Sequence, residues 1–106
     1  MEEKIYEARA EIARALAHAT RLKIVDLLKA EGEYCVCDLT EELEVSQSTV
    51  SKHLRVLKKS GLVTSRKEGL KVYYKLRAPC VGKFFSCLDQ VLKNNLKDRQ
   101  EELGLS

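Results

Sequence analysis

One stretch of the sequence decides the fold: SQSTVSKHLRVLKKSGLVTSRKEGLKVYYKL, residues 46–76. Its first half predicts a helix over about residues 46–60, because a serine that can cap a helix comes first and a glycine that can end one follows. Between them, apolar residues recur at helical spacing and form one stripe, which consists of Val50, Leu54 and Leu57. The pattern therefore predicts a helix that packs on a core by one face.

The opposite face of this predicted helix is polar and basic. Such side chains read base edges in the major groove, where glutamine pairs with adenine, arginine and lysine pair with guanine, and serine and threonine contact bases or phosphates. The pattern leaves open whether His53 meets a phosphate or the core. The side chains that we expect to contact DNA from this helix are Gln47, Ser48, Thr49, Ser51, Lys52, His53 and Arg55.

The second half of the stretch predicts a two-stranded hairpin over about residues 62–77, because two runs of β-type residues flank the turn signal Glu68-Gly69. The tip of this hairpin is basic. We expect it to neutralise phosphates, which position a protein on DNA without reading its sequence, through Arg66, Lys67 and Lys71. Two helices followed by such a hairpin make a winged helix-turn-helix.

Helical patterns also cover both flanks of the stretch. They predict helices over residues 2–17, from a Thr20 cap to Gly32, from Cys35 to Leu43, and over residues 79–102, where Pro79 suits a first turn. The fold class is thus mainly α with a small β-hairpin, in the order α-α-α-α-β-β-α. The last helix has a large apolar face for so small a chain, so we expect a second subunit to cover part of it.

Length and composition restrict the class of protein. The 106 residues fit a single domain, residues 1–106, and 44% apolar with 33% charged residues is typical of a soluble globular protein. The apolar runs are too short to cross a membrane, and the acidic N-terminus lacks the features of a signal peptide. We therefore expect a cytoplasmic protein without a membrane partner. The sequence shows no nucleophile–base pair, phosphate loop or open metal site, so an enzyme is not expected.

Basic charge is concentrated in the stretch that predicts the fold. Residues 46–75 hold eight basic residues and one acidic residue, a local charge of +7, whereas the whole chain carries +3 and the remainder therefore −4. A basic block in an otherwise acidic chain indicates a polyanionic partner on one face. A winged helix that binds only protein is the alternative, and the polar and basic row of the predicted recognition helix argues against it.

The same stretch, together with ALAHATRLKIVDLL before it, resembles the ArsR/SmtB family of metal-responsive repressors over roughly residues 9–77. The resemblance implies a homodimer whose interface is formed by the first helix, residues 2–17, and the last helix, residues 79–102. It also implies a double-stranded DNA operator and an inducer that weakens DNA binding. Two recognition helices one DNA turn apart would read an inverted repeat. No constitutive cofactor is expected.

A thiol motif, YCVCDL at residues 34–39, precedes the predicted helix-turn-helix. It resembles the motif at the start of the third helix in arsenic-, cadmium- and lead-sensing members of the family. The resemblance implies that Cys35 and Cys37 bind the inducer. In a reducing compartment, thiols more often bind metals or sense chemistry than staple a fold.

The spacing of the motif suggests how inducer binding would reach the DNA-binding unit. Residues two apart in an α-helix point about 200° apart, so Cys35 and Cys37 cannot hold one ion from a regular helix. We therefore expect ion binding to unwind the first turn of the third helix. That helix supports the recognition helix, so metal capture and DNA release would be one local event.

The third ligand of such an ion is left open by the sequence. The arsenic sensors that the motif resembles have the sequence CVCDLC, and Thr40 stands where their third cysteine lies. A hydroxyl is a poor ligand for arsenic(III), which prefers thiolate. The alternatives are Cys80, Cys87, an external thiol or no third ligand. Because Cys80 and Cys87 are two helical turns apart, we expect at most one of them to reach the ion.

Arsenic(III) or antimony(III) is the inducer that the motif favours. A cadmium or lead sensor would use the same thiols with a third or fourth cysteine. A redox or persulfide switch would instead pair Cys35 or Cys37 with a cysteine of the last helix.

Overall fold

The computed structural model describes residues 2–78 and 80–104. Within these ranges the chain forms five helices and one three-stranded antiparallel sheet, in the arrangement of a winged helix-turn-helix. In chain order the elements are α1 (Glu3–Leu16), α2 (Ala19–Glu31), β1 (Tyr34–Cys35), α3 (Val36–Leu43), α4 (Gln47–Lys59), β2 (Val63–Glu68), β3 (Lys71–Leu76) and α5 (Val81–Glu102). The predicted helices and hairpin are all present, and β1 is an element that we did not predict.

The core is built by α2, α3, α4 and β2, together with the end of α1, where Ala15 and Leu16 are buried. The apolar stripe predicted on the recognition helix is completely buried there, through Val50, Leu54 and Leu57. These three side chains belong to one cluster with buried residues of the other elements, which include Ile24, Val25, Leu28, Leu39 and Val63. Burial of one such side chain stabilises a fold by about 1.5–3 kcal/mol, so the cluster fixes how α4 is oriented.

Side-chain caps mark where three of the helices begin, and those of α2 and α4 bear on the predictions. Ser46 caps α4 as predicted, because its Oγ accepts a hydrogen bond from the Thr49 N–H at 3.2 Å. The prediction that Thr20 caps the second helix is wrong, since His18 takes that position and its Nδ1 accepts from the Thr20 N–H at 3.1 Å. The turn between α3 and α4 is tight because Glu44 adopts a left-handed conformation, with φ 54°.

The sheet has the strand order β1-β3-β2, so β3 is paired on both of its edges. We call β2, β3 and the turn between them the wing. That turn is Gly69-Leu70, one residue later than predicted, because Glu68 still belongs to β2. On the other edge of β3, Cys35 pairs with Tyr73. Main-chain pairing therefore joins the thiol motif to the wing.

α5 packs on the rest of the chain by its first turns. Val81 and Phe85 contact the core. Gly82 is buried against the methylene groups of Lys29, which a Cβ at this position would approach to 2.8 Å. Beyond Phe85 the side chains of α5 are exposed, apart from a half-buried Leu88. Most of the apolar face of this helix is therefore uncovered in one protomer.

The helix bounds lie close to those predicted. α1 ends one residue earlier than expected, and α5 ends at Glu102 as expected. Pro79, the predicted first-turn residue of the last helix, lies outside the described residues, and the observed helix begins at Val81. Among the helices of residues 2–78 and 80–104, none combines the length and the apolar character that crossing a membrane requires.

Candidate DNA-binding face and thiol site

α4 presents a row of polar and basic side chains on the side away from the core. Gln47, Ser48, Lys52 and Arg55 are exposed, and Ser51 is half-buried. The salt bridges of the described residues do not involve Lys52 or Arg55. Both cations are therefore available to a polyanion, and the row has the chemistry that reads base edges.

Hydroxyl groups order the first turn of α4. Ser46 Oγ lies 3.1 Å from Ser48 Oγ and 2.8 Å from Thr49 Oγ1. Ser48 is exposed whereas Thr49 is half-buried, so Ser48 is the more accessible of the two. The N-terminal residues of a recognition helix are those that contact base edges, so this network holds hydroxyls where they could be used.

His53 lies on the buried side of α4 and not in the exposed row. It is 8% exposed, and its ring centroid lies 4.4 Å from that of His18. Its Nδ1 accepts a hydrogen bond from the Arg21 Nε–H at 3.2 Å, and burial, followed by nearby positive charge, lowers the pKa of His53. Of the two alternatives that the sequence leaves open for His53, a phosphate or the core, its burial favours the core. His53 comes three residues after Val50 and four residues before Leu57, so helical spacing placed it on the same face as these buried residues.

Arg66 clamps the wing to the loop before β1. It donates to both carboxylate oxygens of Glu33, at 2.7 and 3.0 Å, and to Glu68 at 2.8 Å, and its guanidinium lies 4.7 Å from the centre of the Tyr73 ring. The Arg66 hydrogen bond holds the pKa of Glu33 below its usual value. A phosphate would have to compete with these partners for Arg66. The other predicted wing contacts are exposed and outside this clamp, and they are Lys67 and Lys71.

The two cysteines of the YCVCDL motif lie at the boundary between β1 and α3. Cys35 is the N-cap of α3, in extended backbone with φ −80° and ψ 164°, and Cys37 lies in the first turn. Cys35 Sγ accepts a hydrogen bond from the Asp38 N–H at 3.2 Å, while the Cys35 N–H donates to Asp38 Oδ2 at 3.3 Å. These two bonds form a capping box. We did not predict this cap, because cysteine is not among the usual capping residues.

The two sulfur atoms meet while α3 stays regular. The Cα atoms of Cys35 and Cys37 are 5.3 Å apart, and the side chains form a disulfide bond. The expectation that the two side chains point about 200° apart is wrong, because it placed Cys35 inside the helix. The residue instead lies in extended backbone before the helix. Both sulfurs can thus face one ion, once reduced, without unwinding α3.

Asp38 joins the cysteine pair in a group whose donor atoms all lie within 4.8 Å of one another. Among residues 2–78 and 80–104, it is the one group in which three or more potential metal ligands come together. Cys80 and Cys87 are free and exposed and are not part of it. Thr40 donates its hydroxyl to the Val36 carbonyl at 2.8 Å, so the helix already uses that group. We did not predict Asp38 as a potential ligand, although a carboxylate directly after the second cysteine was a signal for it.

A cleft of about 160 Å³ lies between the thiol pair, the start of α4 and the wing. α3 contributes one wall, the first residue of α4 contributes a second, and the wing contributes a third. The lining residues are Cys35, Val36, Cys37, Gln47, Leu70, Lys71 and Val72. The thiol site therefore shares a cleft with Gln47 and Lys71, two of the residues that we expect to contact DNA.

A buried helix that offers polar and basic side chains on its outer face, followed by a basic wing, defines a winged helix-turn-helix DNA-binding protein. Residues 18–65 match the family described as bacterial regulatory protein, arsR family. The chain belongs to this ArsR family, which confirms the resemblance seen in the sequence. Members of the family are DNA-binding transcription regulators and not enzymes.

Curated relatives agree with this assignment. An uncharacterized HTH-type transcriptional regulator of Methanocaldococcus jannaschii is 41% identical over 81% of this chain and 97% of its own length. The arsenic resistance transcriptional regulator ArsR1 of Pseudomonas putida is 39% identical over 88% of this chain and 70% of its own length. A cadmium resistance transcriptional regulatory protein CadC homolog of Staphylococcus aureus is 49% identical over 63% of this chain and 55% of its own length.

Solved structures share the fold. The solution structure of the homodimeric winged helix-turn-helix domain Mb0332 from Mycobacterium bovis, a possible ArsR-family regulator, has a TM-score of 0.77 at 30% identity and covers 92% of this chain and 93% of its own. The crystal structure of the transcriptional repressor PagR of Bacillus anthracis has a TM-score of 0.71 at 32% identity, over 82% of this chain and 99% of its own. These neighbours confirm the predicted fold class.

Proposed function

We propose that the chain is a homodimeric transcriptional repressor that leaves its double-stranded DNA operator when a thiol-binding inducer, arsenite or antimonite, binds Cys35 and Cys37. The position of the thiol pair carries this proposal, because the pair caps α3, is joined to the wing through β1 and opens on the cleft beside Gln47. Relatives named for arsenic and cadmium resistance support it. In this proposal residues 1–106 act as one domain in the cytoplasm.

DNA contact is divided between α4 and the wing. The exposed row of α4 reads base edges in the major groove, while wing lysines bind phosphates beside it. Arg66 holds the wing against Glu33 with two of its five N–H donors and binds Glu68 with a third, so a phosphate contact would use the remaining two. The base-reading side chains of this proposal are Gln47, Ser48, Thr49, Ser51, Lys52 and Arg55, and the phosphate-binding ones are Lys67 and Lys71.

The dimer interface of this proposal is formed by α1 and α5. Large apolar side chains are exposed along both helices, and they include Ile5, Ile12, Phe84, Val91, Leu92 and Leu96. The radius of gyration is 16.7 Å, whereas a compact chain of this length should have about 13 Å. A second copy that covers α5 would bury these side chains, and its two recognition helices would read an inverted repeat.

The effect of inducer binding would be transmitted to the DNA-binding elements through the hydrogen bonds of Cys35. The Cys35 sulfur accepts the Asp38 N–H, so its use as a ligand weakens an interaction of a kind worth about 0.5–2 kcal/mol at helix N-termini. The backbone of the same residue pairs with Tyr73 of β3. A shift of Cys35 would therefore move the end of α3 and the wing together, without unwinding of the helix.

Two observations favour alternatives to arsenite and antimonite as the inducing signal. The disulfide between Cys35 and Cys37 favours a redox-responsive repressor in which these cysteines pair with each other and not with a cysteine of the last helix. Asp38 beside the thiols favours cadmium or lead, since a carboxylate suits a divalent cation better than it suits arsenic(III). Cys80 and Cys87 stay proposals as additional ligands for such an ion.

The test measures how tightly the reduced protein binds an operator selected from a random DNA pool, with and without added arsenite, antimonite, cadmium, lead or peroxide. Arsenite should weaken wild-type binding at least about tenfold, a change of 1.4 kcal/mol. Cys35→Ser and Cys37→Ser should bind the operator normally and resist arsenite, whereas the control Ser86→Ala, at an exposed position of α5 without a thiol, should respond. Release by peroxide alone would favour the redox candidate, and a normal arsenite response in Cys35→Ser would refute the thiol site.

A further inference from the structure

The exposed row of α4 continues past the residues that we expect to read bases. Gln47, Ser51 and Arg55 follow one another at four-residue spacing, and Lys58 comes three residues later on the same face. Lys59 is the next residue, and both lysines are exposed. At a rise of about 1.5 Å per residue, Lys58 lies about 16 Å along the helix axis from Gln47. The C-terminal end of α4 is therefore a separate part of this polar and basic surface.

A hollow of about 540 Å³ lies between this end of α4 and β3. We call it the basic notch, and its lining residues are Ser51, Arg55, Lys58, Lys59 and Tyr74. All five belong to side-chain types that bind phosphate oxygens in protein–DNA complexes, namely arginine, lysine, serine and tyrosine. The lining of the notch is therefore suited to an anion.

The basic notch has no acidic residue among the described residues that line it. The two elements that form it, α4 and β3, contain neither aspartate nor glutamate. The salt bridges of the described residues belong to Arg66, so the three cations of the notch are not paired with a carboxylate there. Like charges around one hollow repel one another, and an anion between them would offset this repulsion.

Two features explain part of this arrangement without a ligand. Lys58 and Lys59 lie in the last turn of α4, where positive charge complements the helix dipole. Lys58 Nζ also donates a hydrogen bond to Ser65 Oγ of β2 at 2.7 Å. A lysine ammonium has three N–H donors, so this bond leaves two for another acceptor. Neither feature accounts for Arg55, which lies one turn earlier and lines the same hollow.

We propose that the basic notch binds the sugar–phosphate backbone of DNA, and that Lys58 and Lys59 are phosphate contacts that the sequence did not predict. The notch is continuous with the row of α4 that begins at Gln47, so a duplex bound to that row supplies the anion. This inference rests on the proposed function and adds a third group of DNA contacts, between the recognition helix and the wing.

A backbone in the notch would be contacted from two elements at once. Lys58 approaches it from α4 and Tyr74 from β3, so the contact would fix how both elements are oriented on the duplex. Phosphate contacts carry no sequence information, so operator and random DNA should gain equally. The contribution is electrostatic and should weaken as the salt concentration rises.

The test uses the reduced full-length chain and measures its affinity for operator and random DNA of equal length at several salt concentrations. Lys58→Gln and Lys59→Gln each remove one charge from the notch. Each should weaken binding to both DNAs by a similar factor, on the order of tenfold at 0.1 M salt, and lower the salt dependence by about one counterion per protomer. Lys97→Gln, which removes one charge from an exposed position of α5, is the matched control and should change neither quantity.

Two further variants separate phosphate binding from the contact between Lys58 and Ser65. Ser65→Ala removes the hydrogen bond and keeps the charge of Lys58, so it should leave the salt dependence unchanged. Lys58→Arg keeps the charge and should retain the wild-type salt dependence. A loss of salt dependence in Ser65→Ala equal to that in Lys58→Gln would overturn the inference, because Lys58 would then act by bracing α4 against β2.

Operators that carry one neutral methylphosphonate group locate the contact. The wild-type protein should lose affinity when this group replaces the phosphate that lies in the notch. Lys58→Gln should be insensitive to the replacement at that phosphate and remain sensitive at the phosphates that Lys67 contacts. The same sensitivity of both proteins at every position would overturn the inference.

The outcomes distinguish this inference from the proposed function. If both lysine variants keep the wild-type salt dependence while arsenite still releases the wild-type protein, the inference is overturned and the proposed function stands. If the wild-type protein does not prefer any operator to random DNA, the proposed function fails as well.

Discussion

The recognition helix α4 and the terminal helix α5 are both amphipathic, but the chain buries only one of them. α4 has 13 residues, four of which are buried, whereas Gly82 is the buried residue among the described positions of the 22-residue α5. The inner face of α4 meets a core made by its own chain, and most of the apolar face of α5 meets solvent. An apolar stripe in the sequence thus predicts that a helix packs against another surface. The fold shows whether the same chain supplies that surface.

The largest effect is expected on the inner face of α4. Leu54→Ala should lower the free energy of unfolding by about 2–5 kcal/mol, because this leucine is completely buried and its truncation leaves a cavity. Urea unfolding followed by circular dichroism measures the change. Lys52→Ala on the outer face of the same helix is the control, and it should change the free energy by less than about 0.5 kcal/mol. Equal losses in both variants would mean that the core does not anchor α4.

The next effect is expected on the uncovered face of α5. Leu92 is 58% exposed in one protomer, and Leu92→Glu would bury an unpaired carboxylate in a dimer formed through this face. Because such a charge costs several kcal/mol, the dissociation constant should rise by roughly 100-fold or more in sedimentation experiments. Gln90→Glu adds the same charge beside Asn94, which Gln90 contacts, and should leave the dimer intact. A dimer unaffected by both changes would place the interface elsewhere.

A smaller effect is expected on the outer face of α4. Arg55→Ala should reduce the discrimination between operator and random DNA by about 1–3 kcal/mol, because an exposed arginine of the recognition helix can pair with guanine. Lys67→Ala in the wing should weaken both kinds of DNA equally and reduce the salt dependence by about one counterion. Binding titrations at several salt concentrations measure both quantities. A change of sequence preference in the Lys67 variant alone would reverse these assignments.

The smallest effect is expected at His53, on the edge of the buried face of α4. Burial, with nearby positive charge, lowers the pKa of His53 from its ordinary 6.5. The unfolded chain therefore binds a proton more readily than the folded chain. The stability due to this group is fully present above pH 6.5 and is lost as the pH falls below that value toward the folded pKa.

His53→Gln keeps an acceptor for Arg21 and removes the titration. The Tm of the wild-type protein should fall further between pH 7.5 and pH 5.5 than the Tm of this variant, about one pH unit to either side of the ordinary histidine pKa. Thermal unfolding at several pH values tests this expectation. Equal slopes for the two proteins would show that protonation of His53 does not matter for stability.

Local patterns predicted most of the DNA-binding unit. The stripe of α4, the Ser46 cap and the positions of the helices depend on residues close in sequence, where helical period and capping chemistry operate. The buried position of His53 was also available, because it falls between Val50 and Leu57 on that stripe. Side-chain spacing therefore favoured the core for His53, whereas the chemistry of a histidine on a basic helix left a phosphate contact open.

Contacts between distant residues were not predictable in the same way. β1 has two residues, too few to show a period, and Tyr34 pairs with Tyr74, which lies 40 residues later. The clamp between Arg66 and Glu33 likewise joins residues 33 positions apart. The position of Cys35 outside the helix follows from these contacts, since β1 holds its backbone extended. The geometry of the thiol site therefore had to come from the fold.

The double pairing of β3 has a consequence for how a sensor of this kind can diversify. The bonds between β1 and β3 are made by main-chain atoms, which every residue except proline supplies in full. In the proposed function, exchanges at positions 35, 37 and 40 would change which compound the chain binds, while the main-chain pairing of β1 with the wing would be retained. A new ligand specificity could thus arise through single substitutions, without any change in the main-chain link to the DNA-binding unit.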